Sequence, residues 1–402
     1  MKRKLDLRTG RSVWMAYRSP AVANSSIAKD IRTQVLIVGA GISGAMLAEM
    51  LTDHGLNVVL IDRRGPMKGS TAASTALIQN EIDVPLQELI KKIGKGNAQA
   101  AWRRSRLAVS NLKARILELQ IKCALAERPS LFLAGNSLDA EALQSEVGLR
   151  REAGLYADYL AKAQLESQFG ISRSAAILNP ENIAVDPRKL TSGLLNKAIK
   201  RGAKVFSPVE ARLFQSLSDV VNVGTKQGPT ISAQYVVLST GYELTDLAPT
   251  KAQSVVSTWA IATKRQSRNL WPREAFIWEA SDPYLYVRAT PDGRVICGGE
   301  DEAFSDEQAR DELIGLKAQR ISQKLAKLLP QLEVTPEFAW AGSFGITPTG
   351  LPIICKIQKH PRIHSVMGYG GNGITFARIA AEIVTSSILD RRDGDSYLFA
   401  PK

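Results

Sequence analysis

The stretch "VLIVGAGISGAMLAEMLTDHGLNVVLIDRR", residues 35–64, decides the fold. Val35 to Val38 form an uninterrupted apolar run, which suits a strand buried on both faces of a parallel sheet. Gly39, Gly41 and Gly44 follow with the G-x-G-x-x-G spacing, and Ile42 and Ser43 fill the turn between the last two. Those glycines give a tight turn, a place where backbone approaches a pyrophosphate, and close packing of helix on strand. Phosphates would lie at the helix N-terminus, where free N–H groups and the dipole favour negative charge. Ala45, Leu47, Ala48 and Leu51 keep a helical stripe, Gly55 ends it, and Asn57 to Ile61 supply a second strand tipped by Asp62. Asp62 is placed to hold a ribose 2′-hydroxyl, so the expected ligand is a dinucleotide without a 2′-phosphate.

Around this unit, 402 residues with 45% hydrophobic and 23% charged composition make a globular chain with core enough for two or three domains. Cys123, Cys297 and Cys355 are far apart and lack metal or disulfide spacing, which points to a reducing, cytoplasmic setting with no metal. His360 and His364 are separated by Pro361 and read as a solvated turn, while His54 caps the first helix. The basic start "MKRKLDLRTGR" is followed by no apolar core, and the apolar run 35–51 contains Glu49, so neither a secretion signal nor a transmembrane segment is expected. The net charge of +13 is densest in residues 91–115, with eight basic residues and no acid. Val109, Leu112, Ile116 and Leu119 run through that region as an inward stripe, so the charge reads as a solvated helix face; a nucleic-acid partner is not expected.

Farther along, Asp186 as N-cap, Pro187 at the first helical position and Gly202 past the end mark a helix. The strands "AKVF", "VNVGT" and "AQYVVLSTGY" return to the nucleotide sheet, ending in Ser239, Thr240 and Gly241, small residues that let backbone approach a ligand. From Val255 the pattern changes to long antiparallel strands, with a hairpin turn at Pro291, Asp292 and Gly293. An amphipathic helix begins at Ser305 with Gln308 as its capping-box partner. Near the C-terminus "IHSVMGYGGNGITFARIAAEIVTSSIL" repeats the opening logic of strand, glycine loop and helix. A second such junction suits FAD, which needs an anchor at its ring end. The helix near Ile374 would aim its dipole at the edge of the isoalloxazine where charge collects on reduction.

The "GAGISG" turn, the "GSTAASTALI" loop, the "STGY" strand end, the "GITPTGLPII" segment and the "GYGGNGITF" loop together resemble the D-amino-acid-oxidase-like superfamily of FAD-dependent oxidoreductases, which includes glycine, sarcosine and γ-glutamylputrescine oxidases. The resemblance implies an α/β fold with a Rossmann-like FAD-binding domain, discontinuous in sequence, and a second antiparallel-sheet domain for substrate. The expected division is 1–82, 147–249 and 335–402 for FAD, and 83–146 and 250–334 for substrate. It implies that Gly39, Gly41, Gly44, Asp62 and Arg63 hold the adenosine end, with Val209 by the adenine. Ser70, Thr71, Ser74 and Thr75 would lie along the pyrophosphate and ring, and Gly370, Gly371, Asn372, Gly373, Ile374 and Thr375 at the pyrimidine edge.

Two departures bear on substrate. The glycine-oxidase branch carries a carboxylate-clamping arginine where "WAGSFG" places Phe344, and a second arginine where "GYGGNGI" places Gly371. The sarcosine-oxidase branch binds flavin covalently through a cysteine where Ser343 and Phe344 stand, so FAD is expected to be non-covalent. The strand "PYLYVRAT" offers a replacement clamp, because alternation puts Tyr284, Tyr286 and Arg288 on one face. The expected activity is oxidation of a C–N bond of an amine or amino acid by hydride transfer to flavin N5, with oxygen or a quinone as electron acceptor. Alternatives are an FAD dehydrogenase of a hydroxy compound feeding a quinone, and a tRNA-modifying flavoprotein.

Overall fold

The computed structural model describes residues 8–243, 247–248, 252–266 and 268–401; the basic residues 1–7 lie outside them. Val35, Leu36, Ile37 and all of Val58–Ile61 are buried, as strands covered on both faces must be. They belong to a sheet of eight strands among the described residues, ordered Ile353–Ile357, His360–Met367, Thr230–Leu238, Ile31–Val38, Val58–Ile61 and Lys204–Phe206, with Ala211–Ser216 and Val221–Thr225 as a side ribbon. Its central strands are parallel: Val35–Val38 pair with Tyr235–Leu238 on one side and Val58–Ile61 on the other. The helices Ile42–Asp53, Pro187–Lys200 and Gly373–Ile388 pack together against this sheet. Pro187–Lys200 starts as its sequence dictates, with the Asp186 carboxylate accepting from Arg188 N and Lys189 N at 2.9 and 3.0 Å.

The second sheet has ten strands among the described residues and is antiparallel except where Phe276–Glu279 runs parallel to Ala126–Leu133. Its membership departs from the expected division. Asp158–Ala161 and Ala175–Ala184, assigned with 147–249 to the FAD domain, pair here with each other, and Ala175–Ala184 pairs also with Ala126–Leu133. Arg8–Gly10, Leu77–Ile78 and Pro336–Ile346 also join this sheet, so the chain crosses between layers more often than the sequence division allowed. Pro180 and Glu181 fall where the register slips between Asn179 and Asn182, a bulge in which proline's missing N–H costs no ladder bond.

Three local expectations change. The helix expected from Ser305 is capped one residue later by Asp306, whose carboxylate accepts from Ala309 N, and it breaks at Leu313 into Glu307–Glu312 and Ile314–Leu328. His360 and His364 lie in a strand rather than a solvated turn, and His364 is buried, with burial pushing its imidazole down to about 4. The basic helix Lys95–Glu118 does bury Val109, Leu112 and Ile116, but its arginines are not all solvated. Arg104 pairs with Glu382 and Asp393, Arg115 with Glu49 and Asp53, and Arg106 with Glu181, which ties the helix to its neighbours. No helix among the described residues is long and apolar enough to cross a membrane.

Candidate active site

A continuous cavity of about 890 Å³ runs from the tip of the first parallel strands to the face of the second sheet. At its nucleotide end the lining includes Gly39, Gly41, Ile42, Ser43, Asp62 and Arg63, with Val209 alongside. Gly39 has φ +117°, and a Cβ on Gly44 would lie 1.9 Å from Gly39 O. Gly44 therefore acts behind the cavity wall, where it lets helix and strand touch. Asp62 is fixed by three backbone amides, Ala40 N at 2.9 Å on Oδ2 and Arg64 N and Gly65 N at 2.8 Å on Oδ1. A carboxylate has about four acceptor sites, so this arrangement leaves capacity for one ribose hydroxyl. Arg63 and Arg64 both pair with Glu243, a cavity residue that the sequence reading did not single out.

The middle of the cavity is the hydroxyl-rich loop, with Ser70, Thr71, Ser74 and Thr75 on the lining and Thr240 and Gly241 facing them. Thr71 Oγ1 accepts from Ile42 N at 3.1 Å, joining this loop to the start of the first helix. Side-chain donors from distant elements hold the carbonyls behind it. Ser12 Oγ donates to Ala72 O, Trp340 Nε1 to Ala73 O at 2.9 Å, and Trp14 Nε1 to Ser74 O at 2.6 Å. Farther on, Thr375 Oγ1 donates to Gln79 O at 2.9 Å and Asn372 Nδ2 to Glu81 O at 2.8 Å. Asn372 and Thr375 are thus behind the wall, whereas Gly370, Gly371, Gly373 and Ile374 line it.

Arg288 departs from the role expected of it. Tyr284 and Tyr286 line the cavity, but Arg288 is fully buried and absent from the lining. Its Nη1 donates to Ala76 O at 2.6 Å, Val185 O at 3.1 Å and Thr75 O at 3.3 Å. The guanidinium carbon lies 5.4 Å from the Trp14 ring centroid and 5.9 Å from that of Phe276. Alternation does place it on the face of the two tyrosines, yet two residues along the strand are enough to carry it under the loop. It is a positioning residue for Thr75 and Ala76.

The ring-end chamber is walled by Tyr242, Trp278, Tyr284, Tyr286, Phe344 and Tyr369. Burial pushes the phenols of Tyr242, Tyr284, Tyr286 and Tyr369 up, so all four are neutral at physiological pH. Tyr284 donates its hydroxyl to Asp301 Oδ2 at 2.6 Å. Gly298 makes room for Tyr286: a Cβ there would sit 2.2 Å from the tyrosine hydroxyl. Asp83 also lines this end, accepting from Gly371 N at 2.8 Å while its own amide donates to Asn372 Oδ1 at 2.9 Å. Desolvation within the cavity wall is the largest cause pushing its carboxyl up to about 6, against the lowering effect of the Gly371 amide. Sequence reasoning missed Asp83 and Asp301, whose placement depends on contacts far along the chain. Tyr242 and Tyr369 were within reach, since each sits inside a quoted motif.

The cavity suits an extended dinucleotide: a helix N-terminus without a side-chain cap opens onto it at Gly41, and a second glycine loop lies at the opposite end. Comparison with known proteins agrees. "Probable oxidoreductase OrdL" of Haemophilus influenzae is 21% identical over 380 residues, covering 88% of this chain and 82% of that protein. Glycine oxidase from Geobacillus kaustophilus superposes with a TM-score of 0.76 at 18% identity, covering 92% of this chain and 99% of the other. L-proline dehydrogenase from P. horikoshii gives 0.75 at 19% identity, covering 92% and 97%. These two likenesses establish the fold. The family model "DAO: FAD dependent oxidoreductase" matches residues 34–387, the span from the first strand of the nucleotide sheet to the last helix, and the chain belongs to that family of FAD-dependent oxidoreductases.

Proposed function

We propose that this enzyme oxidises the C–N bond of an amine or amino acid, and that its residues serve to bind and orient the substrate. The observation that carries the reading is the ring-end chamber itself: it is walled by neutral aromatic side chains, and neither histidine nor cysteine lines it among the described residues. Such a chamber excludes water and positions a small molecule without demanding covalent catalysis by the protein. FAD, when bound, supplies the hydride acceptor at N5. Glycine oxidase and L-proline dehydrogenase, which share the fold, are named for amino acids and lend support to a C–N bond as the target. Anaerobic mixing of the holoenzyme with amines, amino acids and hydroxy acids tests this. Bleaching of the flavin by a nitrogen-bearing substrate is expected, and bleaching by hydroxy acids alone would overturn the proposal. Reoxidation by oxygen compared with a quinone then identifies the acceptor.

FAD is held without a covalent bond. Ser343 accepts at Oγ from Arg310 Nη1 at 2.9 Å and Phe344 fills the neighbouring position, so neither offers a thiolate. Acid precipitation should therefore release FAD, with the yellow colour in the supernatant. Flavin retained in the pellet would contradict this.

A further inference from the structure

The ring end of the cavity carries an anion where an amino-acid oxidase needs a cation. We propose that Asp83 is the substrate-recognition residue of this chamber and that it selects cationic amines lacking a carboxylate. This rests on the C–N reading above and narrows it.

The argument begins with the glycine loop. A Cβ on Gly371 would lie 2.7 Å from Asp83 Oδ2, and one on Gly370 3.4 Å from the same atom. The carboxylate occupies the space that a side chain at 371 would enter, and it is fixed there by Gly371 N and, through its backbone, by Asn372. A side chain at 371 and the carboxylate at 83 thus compete for one place, and in this chain the anion holds it. The cations lining the cavity among the described residues are Arg63, Arg64 and Arg212, beside Asp62 and Val209 at the other end. The groups that face Asp83 are the Gly371 amide, the carboxyl of Asp301 and the neutral phenols of Tyr242 and Tyr284. Asp301 accepts from Tyr284 at Oδ2 and lies behind the lining, so Asp83 is the carboxylate that this end of the cavity presents to a ligand.

An ammonium group entering this chamber meets one carboxylate and several aromatic faces, the two environments that attract a compact cation. A carboxylate entering it meets the like charge of Asp83 and no cation at this end of the lining among the described residues, with only the neutral donors Trp278 Nε1 and Tyr369 OH left unpaired to receive it. Asp83 therefore sets specificity by attraction and by repulsion together.

The test uses the holoenzyme and reads binding by perturbation of the flavin spectrum, which does not require turnover. Tetramethylammonium should bind at least about tenfold tighter than acetate, a preference of the size one well-placed charge pair supplies. Affinity for the cation should fall as pH drops through about 6, because the raised Asp83 carboxyl is then neutralised. Asp83→Asn should cost the cation about tenfold or more while keeping FAD, since the amide oxygen can still accept from Gly371 N. Phe344→Arg, a second and independent variant, should reverse the preference toward acetate. Paired substrates extend the test to turnover: putrescine should reduce the flavin faster than ornithine, and ethylamine faster than alanine. Equal or tighter acetate binding, or an Asp83→Asn protein with unchanged cation affinity, would overturn the proposal. If cations bind through Asp83 but no amine bleaches the flavin, the C–N reading fails and the recognition site stands. If amino acids outrun their decarboxylated partners, the C–N reading stands and the recognition site fails.

Discussion

Gly41→Val is expected to yield a folded, colourless protein. A Cβ at this position meets only Thr71 Oγ1, at 3.1 Å, and a hydroxyl that can rotate aside is a small obstacle to folding. The same side chain projects into the cavity at the N-terminus of the helix Ile42–Asp53, the space that a pyrophosphate needs. Melting temperature without added flavin should move by only a few degrees, while bound FAD after purification should fall to near zero. Gly44→Ala provides the contrast. Its Cβ would sit 1.9 Å from Gly39 O, so helix and strand must separate before any cofactor is involved, and stability should drop together with flavin content. A yellow Gly41→Val protein with normal FAD stoichiometry would show that the cofactor does not pass through this turn.

Arg288→Met should damage stability rather than substrate affinity. The substitution removes the donor to Ala76 O, Val185 O and Thr75 O, and each buried acceptor left unpaired costs about 1–3 kcal/mol. Methionine refills part of the volume against Trp14 and Phe276, so a net loss of roughly 3–5 kcal/mol is expected, with a melting temperature lower by roughly 5 °C. Desolvation brings the guanidinium down to about 10, which still leaves it charged at neutral pH and able to satisfy the carbonyls. Lysine keeps the charge but not the planar fork and should restore only part of the loss. Thermal melts of the FAD-loaded variants decide the matter. Unchanged melting with a large rise in KM for an anionic substrate would return Arg288 to the clamp role that its strand position suggested.

That reversal shows where sequence stops being informative. The glycine turn, the helix at Pro187 and the hairpin at Pro291–Gly293 were legible because capping residues, prolines and glycines act within a few positions of themselves. Alternation along "PYLYVRAT" correctly grouped Tyr284, Tyr286 and Arg288, but a face is wider than a cavity, and only the fold says which part of it lies under a loop. Sheet membership of Ala175–Ala184 was likewise invisible. Its partners Ala126–Leu133 and Leu77–Ile78 are set by register across long separations, and its own pattern is interrupted by Pro180. Asp83 had no local signature because what gives it meaning is a backbone amide 288 positions away.

The loop from Ala72 to Glu81 is bound at its carbonyls by side chains of Ser12, Trp14, Arg288, Trp340, Asn372 and Thr375. Ordering a residue's backbone costs about 1–2 kcal/mol, and for this loop folding itself meets that cost before any cofactor arrives. The apoprotein should then present a preset mould rather than a segment that closes around its guest. Cofactor uptake becomes an encounter with a rigid slot, governed by how freely the dinucleotide threads its length and not by loop rearrangement. Because two of the six anchors are Ser12 and Trp14, the tightness of that slot is controlled by a strap that precedes the glycine turn in sequence.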